Sequence, residues 1–432
     1  MPNNPPHVAI IGGGYAGMAA AVTLAEQQVT VTVYEAGPVL GGRARRVDIN
    51  GVTLDNGLHI LIGAYHETLR LIAHVQPAAA NPLLRLPLDW HMHQHLHMRA
   101  PALPAPLHLA VALLTAKGAN WRERWAAMRM MRALRQSDFK LAQDTTVSAL
   151  LARHEQGPVL TQHLWMPLCI SALNTPADKA SAQGFLNVLR DGLNADRAGS
   201  DLLIARVDLS ALFPQPAADY VRARGGVVLT GQRVTAIDAT GDGFQVSAGG
   251  ESHTFSHVVC ALPPHQVSAF LAGFPALSET MALIQALAYQ PITSIFLQFD
   301  GRVELPSPMT GVAHSLAQWV FDREAICGQR GLIGVVISAE GAHQDLPQDA
   351  LAQRVLEELA TRFGPLPPLR WQRVISEKRA TFSATPGLQR PAQQTPLKNF
   401  WLAGDYTASD YPATLEAAVR SGLVCARGIL NG

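Results

Sequence analysis

The stretch VAIIGGGYAGMAAAVTLAEQQVTVTVYE, residues 8–35, decides the fold of this chain. Its first segment, Val8–Ile11, is a short apolar run typical of a buried strand, and Val29–Tyr34 alternates as a second strand does. Four glycines and an alanine-rich segment lie between them and predict a tight turn followed by a helix to about Glu26. The stretch therefore predicts a β-α-β unit.

The glycines of this unit have the spacing of a dinucleotide-binding loop. Gly12-x-Gly14-x-x-Gly17 lies between strand and helix, where glycine lets the backbone turn tightly, approach a pyrophosphate and pack helix on sheet. Glu35 ends the second strand, where a carboxylate accepts hydrogen bonds from ribose hydroxyls. The alternative is a glycine-rich helix start without a ligand, but the strand, helix and acid together favour a dinucleotide. The predicted contacts are Gly12, Gly14, Tyr15, Ala16, Gly17, Glu35 and Ala36.

A second glycine turn follows the unit and favours FAD over NAD. Gly41 and Gly42 precede Arg43, whose guanidinium is suited to bidentate contact with a phosphate. Ordinary NAD-binding folds do not need this second turn. Gly42 and Arg43 are therefore added to the predicted cofactor contacts.

Composition limits the class of protein. The chain has 432 residues, enough for two or three compact units. Hydrophobic residues make up 48% and charged residues only 16%, so much of the chain is buried or faces something apolar. The net charge of +1 provides no global field for binding nucleic acid. Nucleic acid is therefore not an expected partner.

Cysteine spacing and the N-terminus indicate a compartment. The four cysteines are widely separated without a CxxC, which indicates neither a zinc knuckle nor a disulfide framework and fits a reducing cytosol. The N-terminal MPNNPPH lacks a basic segment followed by an apolar run, so no secretory signal is expected. Residues 8–25 are uncharged and long enough to imitate a membrane span, but their glycines and strand-like start argue against one. A cytoplasmic protein is predicted.

The nucleotide-binding signals fall in three separated parts of the chain, which predicts a discontinuous domain. A meander is predicted from Val234–Ala239, Phe244–Ala248 and Thr254–Phe255, closed by a buried strand at Val258–Leu262. The fold class is α/β, with a Rossmann-like FAD-binding domain that includes the β-meander and a mixed sheet-and-helix substrate domain. The predicted FAD-binding domain comprises residues 1–75, 200–270 and 385–432, and the predicted substrate domain comprises residues 76–199 and 271–384.

Five motifs carry a resemblance to a known family. GGGYAG, Glu35, GGRARR, the DNG of Asp55–Gly57 and the segment LAGDYTASDYPATLEAAVRSG together resemble the flavin-dependent amine oxidase and phytoene desaturase superfamily. Within it, DNGLHILIGAYHETLRL and SEKRATFSATPG are similar to the bacterial hydroxysqualene dehydroxylases of hopanoid synthesis. The resemblance runs across nearly the whole chain and implies an amine oxidase-like fold.

The resemblance also implies positions along the flavin. Gly404 and Asp405 approach the ribityl chain and pyrophosphate, and the backbone of Leu415, Glu416 and Ala417 faces the flavin pyrimidine at a helix start. Helix-terminal amides at that position stabilise negative charge on reduced flavin. Val234 contacts adenine through its backbone, and Gly57 passes beside the isoalloxazine. Cys425 is the only cysteine of the last segment, so FAD is expected to bind non-covalently.

The implied reaction is removal of an allylic hydroxyl from hydroxysqualene, a C30 isoprenoid. It requires a proton donor at the oxygen, loss of water and hydride from reduced flavin N5, inside a dry apolar tunnel. His59 is a candidate acid because its ordinary pKa is near neutrality, and Asp410 and Tyr411 are candidates from the loop before the last helix. Structural roles, such as backbone hydrogen bonding by His59 and loop ordering by Asp410, are the alternatives.

Two other functions also agree with the sequence. An amine oxidase or polyene desaturase would withdraw hydride and pass electrons to oxygen or quinone. An FAD-stabilised scaffold would only hold partners together. The chain has a single dinucleotide fingerprint and no evident NAD(P)H domain, so the electron donor is not identified.

Two local patterns have competing interpretations. His91, His93, His95 and His97 alternate as metal ligands on one strand face would, but no carboxylate or cysteine accompanies them nearby, and no metal site is predicted. The predicted helix 121–135 combines five arginines with tryptophan and methionine. It either lies on an anionic membrane or packs its apolar face on the core. The insolubility of a C30 substrate favours peripheral membrane contact.

Overall fold

The computed structural model describes residues 6–76, 81–194 and 196–432. The stretch considered for a secretory signal therefore lies largely outside the described residues. The strands in the described ranges are, in chain order, β1 (His7–Ile11), β2 (Thr30–Glu35), β3 (Arg46–Ile49), β4 (Val52–Asp55), β5 (Ile60–Ile62), β6 (Leu83–Leu86), β7 (Asp89–Met92), β8 (Leu96–Arg99), β9 (Leu202–Ala205), β10 (Val227–Thr230), β11 (Val234–Thr240), β12 (Gly243–Ala248), β13 (Glu251–Phe255), β14 (His257–Cys260), β15 (Tyr289–Phe299), β16 (Met309–Gly311), β17 (Trp319–Asp322), β18 (Leu332–Ser338), β19 (Leu369–Phe382) and β20 (Phe400–Leu402).

The helices include two π-helical segments, Thr161–Trp165 and Arg190–Asn194, and short 3-10 turns. The α-helices are α1 (Tyr15–Glu26), α2 (His66–Val75), α3 (Leu107–Leu114), α4 (Trp121–Gln136), α5 (Val147–Arg153), α6 (Pro158–Leu160), α7 (Met166–Leu173), α8 (Ala182–Leu189), α9 (Leu209–Leu212), α10 (Pro214–Arg222), α11 (Pro264–Leu271), α12 (Ser278–Gln285), α13 (Arg323–Cys327), α14 (Gln348–Phe363) and α15 (Leu415–Asn431).

A five-stranded parallel sheet confirms the predicted β-α-β unit. Its order is β10-β2-β1-β14-β20, so it joins the beginning, middle and end of the chain. The antiparallel meander β11-β12-β13 forms as predicted. The strand predicted to close that meander pairs elsewhere: β14 inserts between β1 and β20. Its apolar HVVC sequence suits a position covered on both faces of a parallel sheet.

Helix α1 is almost entirely buried, packed between this sheet and α15. Its alanines allow close approach, and a Cβ at Gly422 of α15 would overlap the carbonyl oxygen of Ala16. The uncharged run 8–25 is therefore a strand and a core helix. Within the described ranges, no helix combines the length and apolar character needed to cross a bilayer.

A seven-stranded sheet, in the order β19-β15-β18-β17-β16-β7-β8, forms the second layer. It is antiparallel except where β16 meets β7. Helix α14 covers one face of it through Leu351, Val355 and Leu359, the stripe visible in the sequence. This sheet draws its strands from residues 89–99 and 289–382, and helices from the segment between residues 107 and 189 lie beside it.

A small sheet, β5-β9-β6, connects the two parts of the chain. Its strands come from both predicted domains, since β5 and β9 lie in the predicted FAD-binding domain and β6 in the predicted substrate domain. The exact domain boundaries stay a prediction.

Candidate functional site

A cavity of about 750 Å³ lies between the glycine loop and the seven-stranded sheet. Its glycine-loop end is formed by the loop after β1, the start of α1 and the second glycine turn, and its other end by Trp319, Phe321 and Val336. The predicted site residues that line it are Gly12, Gly14, Tyr15, Ala16, Glu35, Ala36, Gly42, Arg43, Gly57, His59, Gly404, Asp405 and Leu415. The structure therefore brings most of the predicted flavin contacts together in one cleft.

The glycine loop leaves room for a phosphate. Gly12 has a φ of +113°, and a Cβ there would lie 2.7 Å from the carbonyl oxygen of Ala261. A Cβ at Gly17 would overlap the carbonyl oxygen of Gly12, so only glycine lets α1 start here. At Gly14, in contrast, the nearest atoms to a Cβ are 3.9 Å away. This open position at the start of α1 is a cradle that fits the pyrophosphate of a dinucleotide.

Glu35 is held by backbone donors at the end of β2. Its two carboxylate oxygens accept hydrogen bonds from the N–H of Gly13 at 2.9 Å and of Gly37 at 2.7 Å. The half-buried Glu35 lines the cavity, and its carboxylate keeps further lone pairs that can accept hydrogen bonds from ribose hydroxyls. Val234 is buried on β11, and its neighbour Arg233 lines the cavity, so the adenine contact of Val234 stays a prediction.

Arg43 joins the second glycine turn to the loop after β20. Its guanidinium donates to Asp405 Oδ1 at 2.5 Å and to the Ala380 carbonyl at 2.6 Å. Asp405 is buried, so this ion pair neutralises a carboxylate inside the cleft. A contact between Arg43 and phosphate stays a prediction, and the structure gives the side chain a second role in holding two cofactor loops together.

His59 lines the cavity beside Gly57. Its Nδ1 lies 2.8 Å from the Gly57 carbonyl oxygen, an acceptor, so Nδ1 carries the proton and Nε2 has the free lone pair when the ring is neutral. Burial lowers the pKa of the imidazole, the Gly57 carbonyl opposes that shift, and the Arg43 charge adds to it. His59 is therefore mainly neutral near pH 7, a state that accepts a hydrogen bond at Nε2.

Asp410 and Tyr411 do not line the cavity with His59. The Asp410 side chain is 76% exposed, and its nearest cation is Arg190 at 4.0 Å. Tyr411 packs beneath the Arg420 guanidinium, and burial raises the pKa of its phenol to about 12. Both residues occupy the surface loop before α15, where a role in ordering that loop agrees with the geometry.

The start of α15 reaches the cavity. Thr414 caps the helix by accepting a hydrogen bond from the Ala417 N–H at 3.1 Å, and both Thr414 and Leu415 line the cavity. The Glu416 side chain is completely buried and turns away, accepting hydrogen bonds from the N–H groups of Glu67 and Thr68. Glu416 therefore positions α2 with its side chain. Cofactor contacts from Glu416 and Ala417 stay backbone predictions.

Sequence reasoning missed the far end of the cavity. Trp319 and Phe321 alternate on β17 and share the face that lines it. The Trp319 indole donates to Ser171 Oγ at 2.9 Å, and Trp90 packs edge-on against its ring. Their strand has only four residues and no distinctive motif, so no sequence signal identifies them. Asn174, held in a left-handed conformation after α7, also lines this end.

Two buried hydroxyls, one lining the cleft and one beside Gly57, have no hydrogen-bond partner among the residues that the structure describes. Tyr406 lines the cavity, and its hydroxyl is buried and unpaired. The unpaired Ser294 Oγ lies 3.9 Å from the position of a Cβ at Gly57. Buried polar groups are normally hydrogen-bonded, so these two indicate a polar ligand along this wall. Together with the cradle at Gly14, they fit a bound FAD.

The alternating histidines do not share one strand and are not arranged as metal ligands: His91 lies on β7, His97 lies on β8, and His93 and His95 lie in the turn between them. The rings of His95 and His163 stack at 4.5 Å with 15° between their planes, and a metal ion cannot lie in both ring planes. His97 pairs with Asp89 at 2.7 Å, and His93 packs on Phe363. In the part of the chain that the structure describes, no group of three or more histidine, cysteine or acidic residues could hold a metal ion.

The chain is similar to known proteins along nearly its whole length. The family model for flavin containing amine oxidoreductases matches residues 15–430. Proteins named hydroxysqualene dehydroxylase are 31% identical in Rhodopseudomonas palustris, over 96% of both chains, and 28% identical in Sinorhizobium fredii, over 97% of both. A 15-cis-phytoene desaturase of Synechococcus elongatus is 26% identical over 98% of this chain and 95% of its own.

The solved structure of cyclohexylamine oxidase from Brevibacterium oxydans has the same fold. It superposes with a TM-score of 0.71 over 99% of both chains, at 18% identity. The predicted fold class, with a Rossmann-like nucleotide-binding sheet and a mixed substrate-side layer, is thereby confirmed.

Proposed function

The chain belongs to the flavin containing amine oxidoreductase family and is an FAD-dependent oxidoreductase, and from that premise we propose that it reductively removes the hydroxyl of hydroxysqualene to give squalene. The observation that carries this proposal is the similarity, over nearly the full length, to proteins named hydroxysqualene dehydroxylase. The apolar far wall of the cleft adds support, because Trp319, Phe321 and Val336 suit a hydrocarbon substrate.

The proposed reaction consumes one allylic alcohol, two protons and two electrons and yields squalene and water. FAD held by the two glycine turns, around Gly14 and Gly42, would supply the electron pair as a hydride when it is reduced. Protonation of the hydroxyl lets it leave as water, and the allylic carbon then accepts the hydride. An external two-electron reductant would restore the reduced state. The physical requirement on the chain is a proton donor beside a dry, unreactive wall.

His59 is the proposed donor at the substrate oxygen. Of the three predicted catalytic residues, His59 is the one that lines the cavity. Its Nδ1 is hydrogen-bonded to the Gly57 carbonyl, so Nε2 is the atom available for proton transfer. Trp319 and Phe321 exclude water and offer no nucleophile to a developing allylic cation. Arg43 and Asp405 close the polar side of the cleft by pairing with each other.

The test begins with purified enzyme reduced by dithionite without oxygen. Hydroxysqualene is added, and flavin absorbance and isoprenoid products are followed together. Flavin reoxidation with an equal amount of squalene supports the proposal. Reoxidation by oxygen alone, with polyene or amine oxidised by the oxidised enzyme, would instead support the second candidate, a desaturase or amine oxidase, which the similarity to a phytoene desaturase favours.

We also propose that the enzyme acts at the inner face of a membrane, bound peripherally through α3 and α4. Trp121 and Trp125 of α4 are 66% and 53% exposed, and arginines surround them. Vesicles of phosphatidylcholine with phosphatidylglycerol should therefore sediment the wild-type protein. Trp121→Ala with Trp125→Ala should release it, whereas Val424→Ala, at an exposed apolar residue of α15, should not. Equal sedimentation of all three proteins would contradict the contact.

A further inference from the structure

A second cavity, of about 430 Å³, lies outside the flavin cleft. It is enclosed by β8, α3, α4 and the segment from the π-helical Thr161–Trp165 to α7, with Met98, Leu109, Met131 and Leu164 among its apolar lining residues. Helix α7 separates the two cavities, since Leu168 lines the second and Ala172 the first. None of the predicted flavin or catalytic residues lines this second cavity.

The mouth of the second cavity is cationic. Its polar lining residues belong to the last turns of α4, and of these Arg132 and Gln136 are exposed. Met128, half-buried one turn earlier, continues the apolar lining toward the surface. An apolar pocket with a guanidinium at its opening fits a molecule that has a hydrocarbon chain and an anionic head.

The surface around this mouth has the composition of a membrane-contact face. Leu107 of α3 is 54% exposed, and Trp121 and Trp125 of α4 are more than half exposed. Arg122 and Arg129 are exposed on the same helix. Tryptophan and arginine next to exposed leucine are typical of segments that lie in the headgroup region of a bilayer.

The charge of α4 favours an anionic partner. The whole chain has a net charge of only +1, yet the exposed charged residues of α4 are arginines. The acidic residue of this helix, Glu123, is buried and bonded to the N–H groups of Asn120 and Val159. Glu123 is therefore not part of the exposed surface. The exposed Glu155 pairs with Arg129 at 3.4 Å, and Arg122 and Arg132 are the exposed arginines of α4 outside that pair.

We propose that the second cavity holds one acyl chain of an anionic phospholipid, whose phosphate pairs with Arg132 at the mouth. The proposal rests on the peripheral membrane contact stated above and names the lipid class that the contact recognises. A neutral isoprenoid would fill the apolar interior but would leave the guanidinium without a counter-charge. A phospholipid in this position would fix the α3–α4 surface on the bilayer by one chain.

The test uses dihexanoyl phosphatidylglycerol below its critical micelle concentration, so that binding reports the pocket and not a bilayer. Titration calorimetry on the FAD-loaded enzyme should show saturable binding of one lipid per chain. Glycerol phosphate, which has the head without the chains, should not bind, and dihexanoyl phosphatidylcholine should bind more weakly by at least about fivefold.

Two variants separate the pocket from the surface. Ala110→Trp fills the cavity from a half-buried position, and Arg132→Glu reverses the charge at its mouth. We expect the first to abolish binding of the short-chain lipid and the second to weaken it at least about fivefold. Ala360→Trp on α14 and Arg302→Glu are the matched controls and should bind as the wild type does. FAD content and thermal unfolding confirm that each variant is folded.

Three outcomes overturn the proposal. The first is the absence of saturable binding to the wild type, and the second is binding by Ala110→Trp and Arg132→Glu that equals binding by the wild type. The third is complete displacement of the lipid by squalene, which would make the cavity an isoprenoid site. Vesicle sedimentation and anaerobic squalene formation are measured separately. A failure of the lipid proposal can therefore be distinguished from a failure of the proposed membrane contact or of the proposed dehydroxylase activity.

Discussion

His59 lies where a proton must be delivered, yet its surroundings favour the neutral ring. Burial lowers the pKa of the imidazole, so its charged, proton-donating form is populated only as the pH falls below its ordinary value of about 6.5. We predict that the single-turnover rate of the reduced enzyme rises as the pH falls through this lowered pKa. His59→Gln should remove that dependence and slow the reaction about 100-fold or more, with FAD content unchanged.

Asp410→Asn is the control for this prediction, because the exposed Asp410 carboxylate does not line the cavity. Its rate and pH profile should match those of the wild type. A pH profile that survives in His59→Gln, or one that is lost in Asp410→Asn, would remove His59 from the proton-transfer step.

Asp55 of the DNG motif is buried, and its ionised carboxylate destabilises the folded protein, which the sequence does not reveal. Burial raises the pKa of its carboxyl to about 6, although the Leu209 N–H and the Arg323 charge oppose the shift. A pKa raised by folding means that the folded state loses stability as the pH rises from about 4 through about 6. Asp55→Asn should therefore raise the free energy of unfolding at about pH 8, by up to about 3 kcal/mol. Denaturant unfolding of both proteins at about pH 4 and about pH 8 measures this change in the free energy of unfolding. Asp242→Asn, at an exposed carboxylate, should show no such difference.

Among the elements, α15 and α2 are tied by one buried carboxylate. Glu416 accepts hydrogen bonds from the N–H groups of Glu67 and Thr68, from the Thr68 hydroxyl and from Arg420. Glu416→Ala should destabilise the protein by about 2 kcal/mol, because it leaves buried donors at the start of α2 unpaired. Hydrogen exchange at Glu67 and Thr68 should accelerate, and Glu416→Gln, which keeps an acceptor, should show a smaller effect. Unchanged exchange in Glu416→Ala would contradict this role.

The elements also show where sequence patterns are sufficient. Strands β1 and β2 and helices α1, α4 and α14 follow from local periodicity, because each has one buried face or is buried throughout. Strand β19 is not evident in the sequence, since LRWQRVISEKRATF carries charged residues along its exposed edge position and long-range pairing with β15 determines it. The pairing of β14 with β20 is likewise not evident in the sequence. The same apolar strand suits the meander or the parallel sheet, and tertiary packing determines which of them it joins.

At the scale of the whole molecule, three distant segments converge on one cleft. The glycine loops and the start of α15 are recognisable because close backbone approach requires particular residues there. The far wall with Trp319 and Phe321 is not recognisable in the sequence, because any apolar side chain of suitable size could line a cavity for a hydrocarbon. The cofactor end of the site is therefore predictable from sequence, whereas the substrate end depends on how β17 and α7 pack.

The measurement that tests the central claim most directly is the fate of hydrogen during turnover in heavy water. The enzyme is reduced anaerobically in D₂O, given unlabelled hydroxysqualene, and the squalene is analysed by mass spectrometry and NMR. The account predicts a single deuterium at the carbon that lost its hydroxyl, because the N5 hydrogen of reduced FAD would exchange with D₂O before it is delivered as hydride to the allylic carbon. Squalene without deuterium, or no squalene while the flavin stays reduced, would contradict it.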